Sequence, residues 1–85
     1  MNFTTTLVST LPVPDHAVPG TIERTVHLSI DGAPPLRIRV RQNQNGVLVN
    51  NSDLAPLAHD RDLQREAVMI VKQFVDKFGT AVRIH

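Results

Sequence analysis

The sequence predicts a small α+β domain: an antiparallel β-meander with one long helix in its C-terminal half packed on one face, in the order β-β-β-β-α-β. Residues 22–30 and 36–41 alternate apolar and polar side chains, which is the period of a half-buried strand. Residues 60–78 instead carry apolar side chains three and four positions apart, which is the period of an amphipathic helix. A chain of 85 residues holds one domain, so we assign residues 1–85 to it.

The composition excludes several kinds of site before any element is considered. The chain has no cysteine, which rules out disulfides, thiolate nucleophiles and cysteine-ligated zinc. Its first residues lack the basic segment and apolar run of a signal peptide, and no stretch approaches the length of an apolar membrane span. We therefore expect a cytoplasmic protein that does not enter a membrane. The net charge of +1 is too small to indicate a polyanionic partner by itself.

The first strand and the loop after it differ in composition. Residues 3–10 are rich in threonine and β-branched side chains, which favour an extended strand. Residues 11–20 contain three prolines and a glycine, and proline lacks the N–H that a helix interior or a central strand needs. We predict a loop there. A proline-rich ligand is the alternative, but the segment has no repeated P-x-x-P pattern.

Two strands flank the turn sequence of residues 31–35. A loop of that length would place Ile30 opposite Leu36, so that all apolar residues match and every arginine of residues 36–41 lies on the other face. Arg24 is a cation on the aliphatic face, and we expect it near a rim of the sheet, where its head can reach water. The remaining predicted pairs are Leu28 with Ile38, Val26 with Val40, Ser29 with Arg37, His27 with Arg39 and Thr25 with Arg41.

A second hairpin is predicted at Asn45-Gly46, because a type I′ turn needs a left-handed backbone at both central residues. Val47 would then join the aliphatic face and Leu48 would lie on the arginine face. The predicted pairs are Gln44 with Val47, Gln42 with Val49 and Arg41 with Asn50.

The second half of the chain supplies one substantial helix. Residues 51–53 can cap a short helical turn, and a longer helix is expected from Asp60 to Phe78, with Gly79 after its end. Residues 80–85 alternate again and predict a final short strand. One helix covers only one face of a sheet, so the arginine face is left open. The predicted apolar stripe of the helix comprises Leu63, Ala67, Ile70, Val71, Phe74 and Phe78, widened by Val68 and Val75.

The open arginine face is the first candidate site. Same-face residues of a strand lie about 7 Å apart, and arginine forms bidentate pairs with carboxylates and is enriched in protein interfaces. We therefore expect a non-catalytic interaction protein (an inhibitor, adaptor or regulatory subunit) that docks this face onto an acidic surface of a larger protein. The candidate partner-binding residues are His27, Arg37, Arg39, Arg41, Asn43, Asn50 and Arg83.

Other interpretations of the same face stay open. Any one-sided sheet needs polar residues on its outer face, and arginine discourages edge-to-edge aggregation. A nucleic-acid-binding module could use this face, or the ribbon of Arg41 and Asn50, to contact phosphates or base edges. The small net charge and the scarcity of aromatic residues count against it. A structural or assembly subunit is a third interpretation.

The outer face of the helix is the second candidate site. Met69 lies opposite the apolar stripe among charged residues, and with Val68 and Val75 it could form a homodimer contact. Single exposed apolar residues are also normal on protein surfaces.

Catalysis has little support in the sequence. His59-Asp60 and Asp15-His16 are adjacent pairs, but no further histidines or aspartates stand at the spacing of a metal site. No nucleophile elbow or glycine-rich phosphate loop is present. We therefore expect no enzymatic activity, no cofactor and no metal.

Overall fold

The computed structural model describes residues 1–78, which form a four-stranded antiparallel sheet followed by two helices. The strands are β1 (Phe3–Pro12), β2 (Ile22–Ile30), β3 (Leu36–Asn43) and β4 (Gly46–Val49), and they lie side by side in chain order. A 3₁₀ helix (Asn51–Leu57) and the helix α1 (Arg61–Asp76) follow. This confirms the predicted α+β meander with one long helix. The predicted final strand, residues 80–85, lies outside the described residues.

The first strand is longer than predicted and contains an irregularity. It continues two residues past the predicted end, and its pairing with β2 shifts by one residue between Leu7 and Ser9. Such a β-bulge moves the following residues to the opposite face. Leu7 therefore faces the same side as Val26, whereas Ser9 faces the same side as Thr25.

The β2–β3 hairpin has the predicted faces but not the predicted register. Leu28 lies opposite Leu36, two residues away from the expected partner. The chain turns at Asp31 and Gly32, which both have a left-handed backbone, with φ of 52° and 76°. Pro34 and Pro35 then cannot donate to the ladder, so pairing resumes only at Leu36. A shift of two residues leaves every side chain on its predicted face. The other observed pairs are His27 with Arg37, Val26 with Ile38, Thr25 with Arg39, Arg24 with Val40 and Glu23 with Arg41.

The second hairpin also differs from the predicted turn. Asn43 pairs with Gly46, so Gln44 and Asn45 occupy the turn, and only Gly46 of these has a positive φ. The Asn43 side chain closes the turn by accepting a 2.8 Å hydrogen bond from the backbone N–H of Asn45. The predicted type I′ turn at Asn45-Gly46 is therefore wrong. The pairing of β3 with β4 again differs from the prediction by two residues, so each side chain lies on its predicted face. The observed pairs are Gln42 with Val47, Arg41 with Leu48 and Val40 with Val49.

The core lies between the aliphatic face of the sheet and the two helices. Ala67, Val71 and Val75 recur every fourth residue along α1 and are fully buried. Val75 therefore lies in the centre of the buried helix face, not at its edge as the sequence predicted. The 3₁₀ helix adds Leu54 and Leu57 to the same core. From the sheet, the buried cluster takes Val26, Leu28, Ile38, Val40 and Val49.

The position of Arg24 corrects the prediction that it reaches water at a rim. It is 5% exposed on the aliphatic face, where its guanidinium donates a hydrogen bond to the Gln42 side chain. The guanidinium also lies 5.1 Å from the ring centre of Phe78, and Phe78 packs edge-on against Phe74 at 5.3 Å. Burial lowers the pKa of Arg24. Phe78, predicted as a core residue, is 45% exposed and covers this arginine instead.

The start of each helix is capped by a side chain, whereas α1 ends at Asp76, two residues before the predicted end. Asp60 precedes α1 and accepts a 3.1 Å hydrogen bond from the backbone N–H of Leu63, which satisfies one of the free N–H groups of the first turn. Asn50 caps the 3₁₀ helix in the same way through Ser52. The predicted start of the long helix is thus correct to one residue.

Candidate functional site

The open face of the sheet is the side opposite the core. Cross-strand pairing arranges it in rows: His27 stands beside Arg37, Thr25 beside Arg39, and Glu23 between Leu11 and Arg41. The buried side chains of both helices join the aliphatic core and not this face. We define the open face by these residues: Thr4, Thr6, Ser9, Leu11, Glu23, Thr25, His27, Ser29, Arg37, Arg39, Arg41, Asn43 and Leu48.

Arg39 is held by the fold through Asp53 of the 3₁₀ helix. Its Nε and Nη2 donate to the two carboxylate oxygens at 3.0 and 3.1 Å, a bidentate pair. The same carboxylate accepts the backbone N–H of Arg39 at 2.9 Å, just past the last residue pair between β3 and β4. The hydrogen bond from Arg39 lowers the pKa of Asp53, and the same bond raises the pKa of Arg39. The Asp53 side chain therefore replaces a strand backbone as the hydrogen-bond acceptor for β3 at the point where β4 has ended.

The other two arginines are less constrained. Arg41 donates from Nε to Glu23 at 3.5 Å, a long contact between two partly exposed side chains, and such surface pairs contribute little to stability. Arg37 is exposed and forms no ion pair with any carboxylate in the described part of the chain. The three arginines share one face, and among residues 1–78 Arg37 forms no direct ion pair, although its charge contributes to the lowered pKa of Asp53.

Asn43 and Asn50, two further predicted site residues, have structural roles. Asn43 closes the β3–β4 turn and also donates to the Thr21 hydroxyl at 3.1 Å. Asn50 lies after β4, not in a ribbon with Arg41; its side chain caps the 3₁₀ helix and its backbone N–H donates to Arg39 at 2.9 Å. Arg83 lies outside the described residues.

Apolar side chains add a feature to this face that the sequence revealed only in part. Leu48 was predicted on the arginine side and is 71% exposed there, directly opposite Arg41. Leu11 is 59% exposed at the other end of the same row. The prolines of residues 11–20 predict a loop at Leu11, and nothing in the sequence signals the bulge that turns Leu11 toward this face. The row from Leu11 to Leu48 is thus apolar at both ends and charged in the middle.

Two shallow grooves border this row. One, of about 380 Å³, is lined by Glu23, Arg39, Arg41, Leu48 and Val49, together with Asn50 and Asn51. The other, of about 290 Å³, lies between Leu48 and the loop after β1, with His16 and Val18 on the loop side. A protruding side chain of a partner could insert on either side of Arg41.

One residue of each adjacent histidine–aspartate pair, His16 in the first and Asp60 in the second, forms hydrogen bonds within the fold. His16 accepts a 3.1 Å hydrogen bond at Nδ1 from the backbone N–H of Val18 and lies 3.2 Å from the Thr21 hydroxyl. Asp60 serves as the helix cap. Among residues 1–78, no group of three or more histidine or acidic side chains is arranged to hold a metal ion.

The structure removes one residue from the homodimer contact predicted on the outer face of the long helix. Met69 is 58% exposed and Val68 is half-buried, but Val75 is fully buried beneath the helix. Val75 therefore cannot contribute to a surface contact, because its side chain already fills the core.

Comparison with protein-family models, with curated proteins and with solved structures finds no significant match. In the part of the chain that is described, neither helix has the length and hydrophobicity required to cross a lipid bilayer.

Proposed function

We propose that this protein is a small, non-catalytic interaction protein that docks the open face of its sheet onto an acidic surface of a larger protein. The observation that carries the proposal is the exposed Arg37, which has no bonded carboxylate within residues 1–78, on the same face as the exposed Leu48 and Leu11. Arginine is enriched in protein interfaces, and the two exposed leucines add apolar area that a partner can bury. The absence of cysteine favours a reducing compartment, and we place the protein in the cytoplasm.

The ion pairs of this face favour a protein partner over a polyanion. Glu23 and Asp53 already hold two of the three arginines, so the face carries less free positive charge than the strand sequence suggests. A partner with one or two carboxylates opposite Arg37 and Arg41 and an apolar side chain near Leu48 matches this arrangement. The Glu23 pair lies at the surface, so a partner carboxylate can compete for Arg41 at small cost.

Nucleic acid remains the second candidate, supported by the regular spacing of the three arginines along β3. Glu23 and Asp53 on the same surface would repel phosphates, and no aromatic side chain belongs to the open face as described. Binding to nucleic acid would weaken steeply as salt is raised, because each neutralised phosphate releases counterions.

The test reverses the charge of Arg37 and Arg41, the two arginines of this face that do not bond to the 3₁₀ helix. The variant Arg37→Glu with Arg41→Glu leaves Arg39 and its Asp53 contact intact. The matched control is Arg61→Glu with Lys77→Glu, which changes the charge equally on the exposed ends of α1. The control substitutions act oppositely on the helix dipole, so their effects on stability largely cancel.

Tagged proteins are used to capture partners from the source organism with and without nuclease treatment, and the affinity of the purified partner is then measured by calorimetry. We expect the sheet variant to bind at least about tenfold more weakly, while the control binds like the unmodified protein. Equal binding by the sheet variant would contradict the proposal. Loss of the captured partner on nuclease treatment, with a steep salt dependence of direct oligonucleotide binding, would favour nucleic acid.

A further inference from the structure

A groove runs along the outer surface of α1 and shares Asn51 with one of the two grooves that border the open face. Its volume is about 710 Å³, larger than either groove at the open face, and it is lined mainly by one helical stripe. Val68 and Met69 form its apolar floor, and Met69 is 58% exposed. Asn51 of the 3₁₀ helix and Gln64 border it with amide groups.

The two charged side chains that line this groove are both cations, while Asp62 and Asp76 lie one turn beyond them along α1. Arg65 lies one turn before the apolar floor and Lys72 one turn after it, and no carboxylate is among the described residues that line the groove. The two cations are seven positions apart on the helix, a rise of about 10 Å along its axis. An apolar floor between two cations at this spacing is complementary to an acidic segment with an apolar anchor.

We propose that this groove binds an acidic amphipathic helix of a partner protein. Carboxylates two turns apart on such a helix would reach Arg65 and Lys72, and an apolar residue between them would pack on Val68 and Met69. This is the helix-in-groove mode of recognition, in which residues at spacings of three, four and seven supply the anchors. The amides of Asn51 and Gln64 can accept or donate hydrogen bonds at the rim.

A second copy of the same chain fits this groove less well. A two-fold contact brings the same surface patch from both copies together. Centred on Met69, it would gather two copies of Arg65 and two of Lys72 against a lining that contains no carboxylate. The homodimer contact suggested by the sequence also loses Val75, which is buried in the core.

The test uses the full chain and a synthetic helical peptide with leucines at every third or fourth position and glutamates at the flanking positions. Binding is measured by fluorescence anisotropy, and its location by amide chemical shifts of the isotope-labelled protein. One control peptide replaces the leucines with serine. The protein variants are Arg65→Glu with Lys72→Glu, Met69→Gln, and the sheet variant Arg37→Glu with Arg41→Glu as the charge-matched control.

We expect shifts centred on Val68 and Met69, at least about tenfold weaker binding after reversal of the two groove cations, and several-fold weaker binding for Met69→Gln. The sheet variant should bind the peptide normally, which separates this site from the open face. The proposal is overturned if the peptide does not bind, if the serine peptide binds equally well, or if the shifts lie on the open face. It is also overturned if sedimentation shows a dimer that Met69→Gln dissociates and that excludes the peptide.

Discussion

The two faces of the sheet are built from alternate residues of the same strands, but within residues 1–78 the helices pack against only one of them. Ile38 and Val40 of β3 are completely buried beneath the helices, whereas Arg37 and Arg41, their immediate neighbours, are exposed. The comparison shows that alternation decides which side becomes the core. Contacts between side chains then decide which arginines of the open face are paired within residues 1–78, since Arg39 bonds to Asp53 and Arg37 does not.

The largest effect expected from this comparison is on stability at neighbouring residues of β3. Ile38→Ala should lower the free energy of unfolding by about 2–4 kcal/mol, because it leaves a cavity in the closed face. Arg37→Ala should change it by no more than about 0.5 kcal/mol, because the side chain is exposed. Urea unfolding followed by circular dichroism measures both. Similar losses in the two variants would mean that the open face is covered in solution.

The short strand β4 offers the same comparison with a smaller difference. Val49→Ala should cost about 2 kcal/mol, because the side chain is 5% exposed and its removed methyl groups leave the core. Leu48→Ala should be close to neutral, since the side chain is 71% exposed. Thermal melts of the two variants, run side by side, provide the measurement. A large loss for Leu48→Ala would place that side chain in an intramolecular contact.

Asp53 links the 3₁₀ helix to the edge of β3, and its removal should have a moderate effect. Asp53→Ala leaves the backbone N–H of Arg39 without its acceptor, and we expect a loss of about 1 kcal/mol. Asp53→Asn keeps an oxygen acceptor and should lose less. Urea unfolding at neutral pH distinguishes the two, and equal losses would show that the backbone bond contributes nothing measurable.

The Asp53 contact also predicts the direction of a pH dependence. Because Arg39 lowers the pKa of the folded carboxyl, the contribution of the pair is fully present above the ordinary aspartate value near 3.8 and is lost as the pH falls through the folded value. The stability advantage of the unmodified protein over Asp53→Asn should therefore be constant near neutrality and shrink below about pH 4. If the stability advantage over Asp53→Asn instead grows as the pH falls, the pKa of Asp53 is raised in the folded protein and the account of this contact is wrong.

The faces of β2, β3 and β4 could be predicted from the sequence because they depend only on parity, whereas the bulge in β1 reverses the faces of the residues after it. Both predicted registers were wrong by two residues, and a two-residue shift returns each side chain to its own face. The exact pairs depended on local turn chemistry: the missing N–H groups of Pro34 and Pro35, and the Asn43 side chain that closes the second turn. Neither feature changes the period of the pattern.

Two other features could not be predicted for reasons of tertiary geometry. The Arg39–Asp53 pair joins residues 14 positions apart, and only the path of the chain after β4 brings them together. Arg24 is buried on the aliphatic face because Gln42 and Phe78 surround its guanidinium, and Gln42 reaches it only through the pairing of β2 with β3. The alternation marked Arg24 as an exception but gave no indication of these neighbours.

The central claim is that the open face binds a partner while the opposite face stabilises the fold. Its most direct test measures partner affinity and the free energy of unfolding on the same samples of Arg37→Glu with Arg41→Glu. We expect at least about tenfold weaker binding, with the unfolding free energy lowered by no more than about 1 kcal/mol, because Arg41→Glu places a carboxylate opposite Glu23. Unchanged affinity in a folded variant would contradict the claim.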